Sequence, residues 1–178
     1  MTLRPRPAGL RLLVLLGLLM PRPGLSQGVT GSVGIDANVI GQALTVTTLS
    51  NLNFGSVPKG VATTVQPTAA GAGAWQIQGS KNADVSITFV LPVLLTNIQA
   101  LPGSTMPVSF GAASARWNRA TNNVAGATAF DPITGTTGRL GPPANPYIYL
   151  WIGGTVSPAA TAKPGIYTGT IIVTIAYL

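Results

Sequence analysis

Short runs in which apolar and polar residues alternate constrain this chain more than any other feature. In "DVSITFVL" (84–91), Val85, Ile87, Phe89 and Leu91 fall on one side, and Ser86 and Thr88 on the other. Side chains of an extended strand point to opposite faces in turn, so this spacing predicts a β-strand with one dry and one wet face. The same period puts Leu44 and Val46 together in "ALTVTTL" (43–49), and Trp75 and Ile77 opposite Gln76 and Gln78 in "AWQIQG" (74–79). Gly, Pro and Asn separate the runs. Pro58, Pro67 and Pro92 stand at run ends, where a missing N–H does least harm. No useful 3.6-residue apolar stripe follows the N-terminal leader, and the expectation is an all-β sandwich or barrel.

Further strands are expected at "LNFGSV" (52–57), "GVATTVQ" (60–66) and "MPVSFG" (106–111). "AWQIQG" and "DVSITFVL", joined by "GSKNAD", read as a hairpin. "YIYLWIGG" (147–154) is apolar on both faces and is expected at the centre of a sheet. Residues 112–145 are rich in turn formers and read either as a mobile surface loop or as short strands below the reach of periodicity. In the closing "GIYTGTIIVTIAYL", Tyr167, Ile171, Val173, Ile175 and Tyr177 share a face.

The first 26 residues are expected to be a cleavable secretion signal: a basic leader, the apolar run "LLVLLGLLM" and a polar exit with Gly24 and Ser26. The run is too short to span a bilayer. Behind it, "VTGSVGIDANV" alternates strictly, with Val29, Gly31, Val33, Ile35, Ala37 and Val39 on one face. After "IGQA" the apolar set moves to even positions, Leu44 and Val46. A one-residue phase change flips a continuous strand inside out, so residues 27–41 form an element separate from the domain at 42–178. That element either folds back as the first strand of its own sandwich or inserts into a second copy. Burying Val29, Val33, Ile35 and Val39 at ~1.5–3 kcal/mol each amounts to roughly 6–12 kcal/mol. A whole domain is stable by only about 5–15 kcal/mol. A sheet left without this strand would be marginal.

Composition excludes several functions. Beyond residue 26 the cations are Lys59, Lys81, Arg116, Arg119, Arg139 and Lys163, against Asp36, Asp84 and Asp131, a net of +3. They are scattered, without the concentrated positive face that nucleic acid requires. His, Cys and Glu are absent, which removes thiol chemistry, His-based triads and the usual metal clusters, so neither an enzyme nor a cofactor is expected. Turn and solvent roles account for all three Asp. Only 7% of residues are charged, which fits either a surface largely covered by other subunits or a neutral Thr/Ser/Asn surface. Arg116, Trp117 and Arg119 in "ARWNRATNN" offer stacking and hydrogen bonding to a ligand, or Trp117 packs the loop onto the sandwich.

"LNFGSV", "AWQIQGSKNADVSITFVLP" and "GGTVSPAATAKPGIYTGTIIVTIAY" resemble a bacterial domain-of-unknown-function family of exported, pilin-like β-domains, similar to spore coat protein U and the archaic chaperone–usher pilins. The resemblance covers about residues 44–178. Its most specific part is the closing block, with Gly165 fourteenth from the end and the penultimate aromatic Tyr177. Archaic-type subunits often carry cysteines, which this chain lacks. The resemblance implies an immunoglobulin-like, pilin-type β-sandwich with an N-terminal donor-like strand. It also implies a structural role in a surface filament or coat, built from this chain or related pilin subunits. Residues 29–39 would be the donor. Gly165, Tyr167, Ile171, Val173, Ile175 and Tyr177 would face first a periplasmic chaperone, at an outer-membrane usher, and then a neighbour's strand. The chain would pass through the periplasm to the cell surface. The competing expectation is an adhesin or self-contained periplasmic module that recognises a surface glycan through residues 112–145.

Overall fold

The computed structural model describes residues 41–99 and 104–178. The expected signal and the alternating positions Val29 to Val39 lie outside the described residues. Within them are thirteen strands: β1 (Thr45–Ser50), β2 (Thr63–Val65), β3 (Gly73–Gln78), β4 (Asp84–Val90), β5 (Leu94–Asn97), β6 (Thr105–Ser109), β7 (Ala115–Arg119), β8 (Thr128–Phe130), β9 (Thr136–Arg139), β10 (Tyr147–Ile152), β11 (Gly154–Val156), β12 (Tyr167–Thr168) and β13 (Ile172–Tyr177). The described residues contain no helix. The strands form three sheets, ordered β1-β3-β10-β7-β8, β12-β5-β6-β11-β2 and β13-β4-β9, with every pairing antiparallel. This is an all-β architecture of the sandwich kind.

Alternation decides which faces close on each other. Trp75 and Ile77 of β3, and Ile148, Leu150 and Ile152 of β10, meet Val85 and Ile87 of β4 in one apolar core with Ala115, Phe130 and Leu140. A second cluster gathers Met106, Val108 and Val156 under Phe54, Val57, Leu95 and Tyr167. β10 lies between β3 and β7, as its apolar faces predict. Its outer Trp151 is buried against Ala127, with Val124 and Tyr149 alongside.

Three expectations need correction. The runs at 74–79 and 84–91 form strands but not a hairpin, because β3 pairs with β1 and β10 while β4 pairs with β13 and β9. Both runs have a buried face, and those faces meet across the core. Residues 79–83 therefore arch between layers, turning at Asn82 with φ +58°. "LNFGSV" is not a strand. Gly55 takes φ +66° and its N–H donates to Asn53 Oδ1 at 2.8 Å, a local turn that competes with ladder pairing. The closing run is two strands, since β12 pairs with β5 and β13 with β4. Between them Gly169 lies so near Leu95 that an added Cβ would stand 2.6 Å from Leu95 Cδ2. Residues 112–145 resolve into short strands, β7, β8 and β9.

Candidate strand-acceptor groove

β1 and β13 each present an edge with no partner strand among the described residues. Hydrogen-bond parity shows what those edges offer. Gly79 N–H donates to Pro146 O, so odd positions of β3 bond to β10 and even positions bond to β1. Thr45 and Thr47 are thereby used, opposite Gln78 and Gln76. The main-chain groups of Leu44, Val46 and Thr48 point to the open edge. Across the gap, Leu178 N–H donates to Asp84 O, so even positions of β13 bond to β4. The main-chain groups of Val173, Ile175 and Tyr177 are left facing outward.

At one end of the two edges, beyond Thr48 of β1 and before the start of β13, lies a groove of about 1060 Å³. Thr48, Ser50 and residues 51–59 form one wall and residues 163–171 the other, over a floor that includes Trp75, Met106, Val108, Phe110 and Val156. The inner face of β1 is uncovered: Leu44 touches the core, yet Val46, two positions on, is 46% exposed. Ile166, 64% exposed, adds apolar surface to the opposite wall. Ile171, Val173, Ile175 and Tyr177 are half-buried and pack against the main core, whereas Tyr167 belongs to the second cluster.

At the other end the two edges are clipped together. Tyr177 Oη donates to Gln42 O and accepts from Ser80 N–H at 2.7 Å, and Gln42 N–H donates to Ser80 Oγ at 2.6 Å. Gly79 makes room for the ring, because a Cβ there would stand 2.6 Å from Tyr177 Oη and 2.7 Å from Leu44 Cδ2. Sequence reading singled out Tyr177 but not Gln42 or Ser80, whose roles depend on a contact between distant segments that periodicity does not encode.

Gly165 lies at the opposite end with φ +149°, and a Cβ would collide with Asn97 Nδ2. Both facts require glycine whatever the groove binds. Gly165→Ala is expected to cost about 2–4 kcal/mol, from strain and overpacking, read by denaturant unfolding.

The structure separates the three loop residues. Arg116 Nη1 donates to Ala127 O at 3.1 Å, while Arg119 Nε donates to Leu140 O at 2.9 Å and Arg119 Nη2 to Asn82 Oδ1. Trp117, between them on β7, packs against the main core. Trp117→Ala is expected to cost about 2–3 kcal/mol, less than a fully buried Trp, while assembly measured by electron microscopy is unchanged. The described residues hold no cluster of three or more metal-ligating Asp, Glu, His or Cys.

An antiparallel β-sandwich architecture with two unpaired strand edges and an open groove at one end of them is therefore the class defined by fold and site. The chain belongs to the family described as "Domain of unknown function (DUF4402)", whose profile matches residues 40–177. No curated protein matches the chain.

Proposed function

We propose that this chain is an exported, non-catalytic structural subunit of a bacterial surface filament or coat, akin to the pilin-like domains related to spore coat protein U and the archaic chaperone–usher pilins. Residues 29–39 of one copy fill the groove of the next. The observation that carries this reading is the pair of unpaired main-chain edges, β1 and β13, with an open groove at one end of them floored by core side chains. A strand laid there bonds to both edges while its apolar face covers the floor. The extension has the matching pattern, with apolar residues at every second position from Val29 to Val39 and, Gly31 aside, polar residues or Gly34 between them. Its eleven residues extend to about 36 Å, enough to pass along the nine residues 163–171 of the wall.

Identical subunits joined in this way use two different surfaces, which gives an open polymer rather than a closed ring. Before assembly, a periplasmic chaperone covers the same edges, and an outer-membrane usher delivers the subunit to the surface. Arg116 and Arg119 stand on β7 with their guanidinium groups engaged by Ala127 O and Leu140 O, which favours a shaft-type subunit over a glycan-binding tip. The test is negative-stain microscopy of material shed from expressing cells. Fibres that disappear when the gene is deleted are expected; fibre-free material containing only dispersed protein would overturn the reading.

A further inference from the structure

The sheet β1-β3-β10-β7-β8 carries a ladder of aromatic rings on its outer face. Trp75, Ile77, Ile148, Leu150 and Ile152 point into the main core, so the residues between them on β3 and β10 point the other way. On β10 these are Tyr147, Tyr149 and Trp151. The ring centroids of Tyr147 and Tyr149 are 6.2 Å apart and those of Tyr149 and Trp151 are 6.3 Å apart, the second pair within 25° of parallel. The rings thus follow the two-residue step of the strand, about 6.8 Å. Trp151 is buried in a cluster with Ala127 and Val124, whereas Tyr147 and Tyr149 keep part of their surface in water.

Neutral amides flank the rings. Tyr149 lies directly across from Gln76 of β3 on one side and Asn118 of β7 on the other, and Tyr147 lies across from Gln78. Thr47 of β1 continues the row beyond Gln76, so the row crosses four strands and about 14 Å. Asn118 Nδ2 donates to Asn123 O at 2.7 Å, which leaves its Oδ1 to accept. The strands of this sheet place one charged side chain on the face, Arg116, whose Nη1 is engaged by Ala127 O. Lys81 stands past the end of β3, on the arch that leaves for β4.

We propose that this face binds a neutral polysaccharide, an extended chain of pyranose rings laid along β10. The C–H faces of the sugars cover Tyr147 and Tyr149, and their hydroxyls bond to Gln76, Gln78 and Asn118. A buried aromatic stack by itself serves packing. A pyranose asks for more, an exposed apolar surface with neutral donors and acceptors beside it, because each sugar ring has an apolar face and a polar rim. A carboxamide both donates and accepts, as a sugar hydroxyl does. The face lies outside the sandwich, so a subunit whose groove is filled still presents it. The inference goes beyond the subunit role and does not depend on it.

Biolayer interferometry of the purified chain over immobilised cello- and chito-oligosaccharides tests it. Binding to at least one of the two sugars is expected, unchanged in about 1 M salt because no ion pair contributes. Tyr149→Ala is expected to weaken binding at least about tenfold, and Tyr149→Phe, which keeps the ring, by less than about threefold. Gln76→Ala leaves the aromatic stack in place and is expected to weaken binding about threefold to tenfold, which decides the matter if Tyr149→Ala fails to fold by circular dichroism. Thr88→Ala, on the outer face of β4, should change nothing. Absence of binding to both sugars, binding abolished by salt, or binding left intact by Tyr149→Ala or by Gln76→Ala overturns the inference. Retention on an immobilised copy of the chain alone, lost with Tyr149→Ala, also overturns it and makes the face a contact between subunits. None of these outcomes bears on whether the groove accepts a strand, which filament formation reads separately.

Discussion

A chain lacking residues 27–40, produced without a partner, will aggregate or be degraded rather than persist as a dispersed monomer. The deleted segment carries roughly 6–12 kcal/mol of apolar burial, comparable with the whole stability of a domain. Without it, β1 and β13 keep open edges, and Val46 remains in water beside them. An apolar sheet edge is a template for uncontrolled pairing, and the closing segment "GTIIVTIAYL" combines β-branched residues with no charge. Size-exclusion chromatography with light scattering reads the outcome. A soluble, cooperatively unfolding monomer would show that the sandwich closes without its extension.

Ile35→Asp is expected to abolish filaments while leaving the subunit folded. Ile35 stands near the middle of the alternating segment, so in the proposed insertion it is a central apolar anchor. The substitution removes about 1.5–3 kcal/mol of burial and sets a carboxylate against apolar side chains, at a further cost of several kcal/mol. Each 1.4 kcal/mol is about tenfold in affinity, so polymer yield falls at least a hundredfold. The acceptor strands are untouched, so far-UV circular dichroism and binding to a partner chaperone are retained. Filaments of normal abundance from this variant would exclude Ile35 from the joint between subunits.

Much of this architecture is legible in the sequence because it depends on short-range periodicity. Val85 and Ile87, Trp75 and Ile77, and both faces of β10 declare their burial through spacing alone. Pairing partners do not. β3 and β4 read as a hairpin because they are adjacent in sequence, yet their dry faces meet across the core, a choice made by the whole sandwich. The split at Gly169 is similarly hidden, because the alternation of "IYTGTIIVTIAY" leaves no trace of the switch from β5 to β4 as partner. β7, β8 and β9 escape notice because runs of three to five residues, set among Gly and Asn, carry too few alternations to register. The groove was foreshadowed at its walls by Tyr177 and the closing strand.

The most direct measurement is a structure of the assembled protein by electron cryomicroscopy, at a resolution that traces side chains. The account predicts continuous density between β1 and β13 of every interior subunit, assigned to Val29–Val39 of the adjacent copy with Ile35 over the apolar floor. An assembly held by other surfaces, with that groove empty or occupied by the subunit's own leading segment, would contradict it.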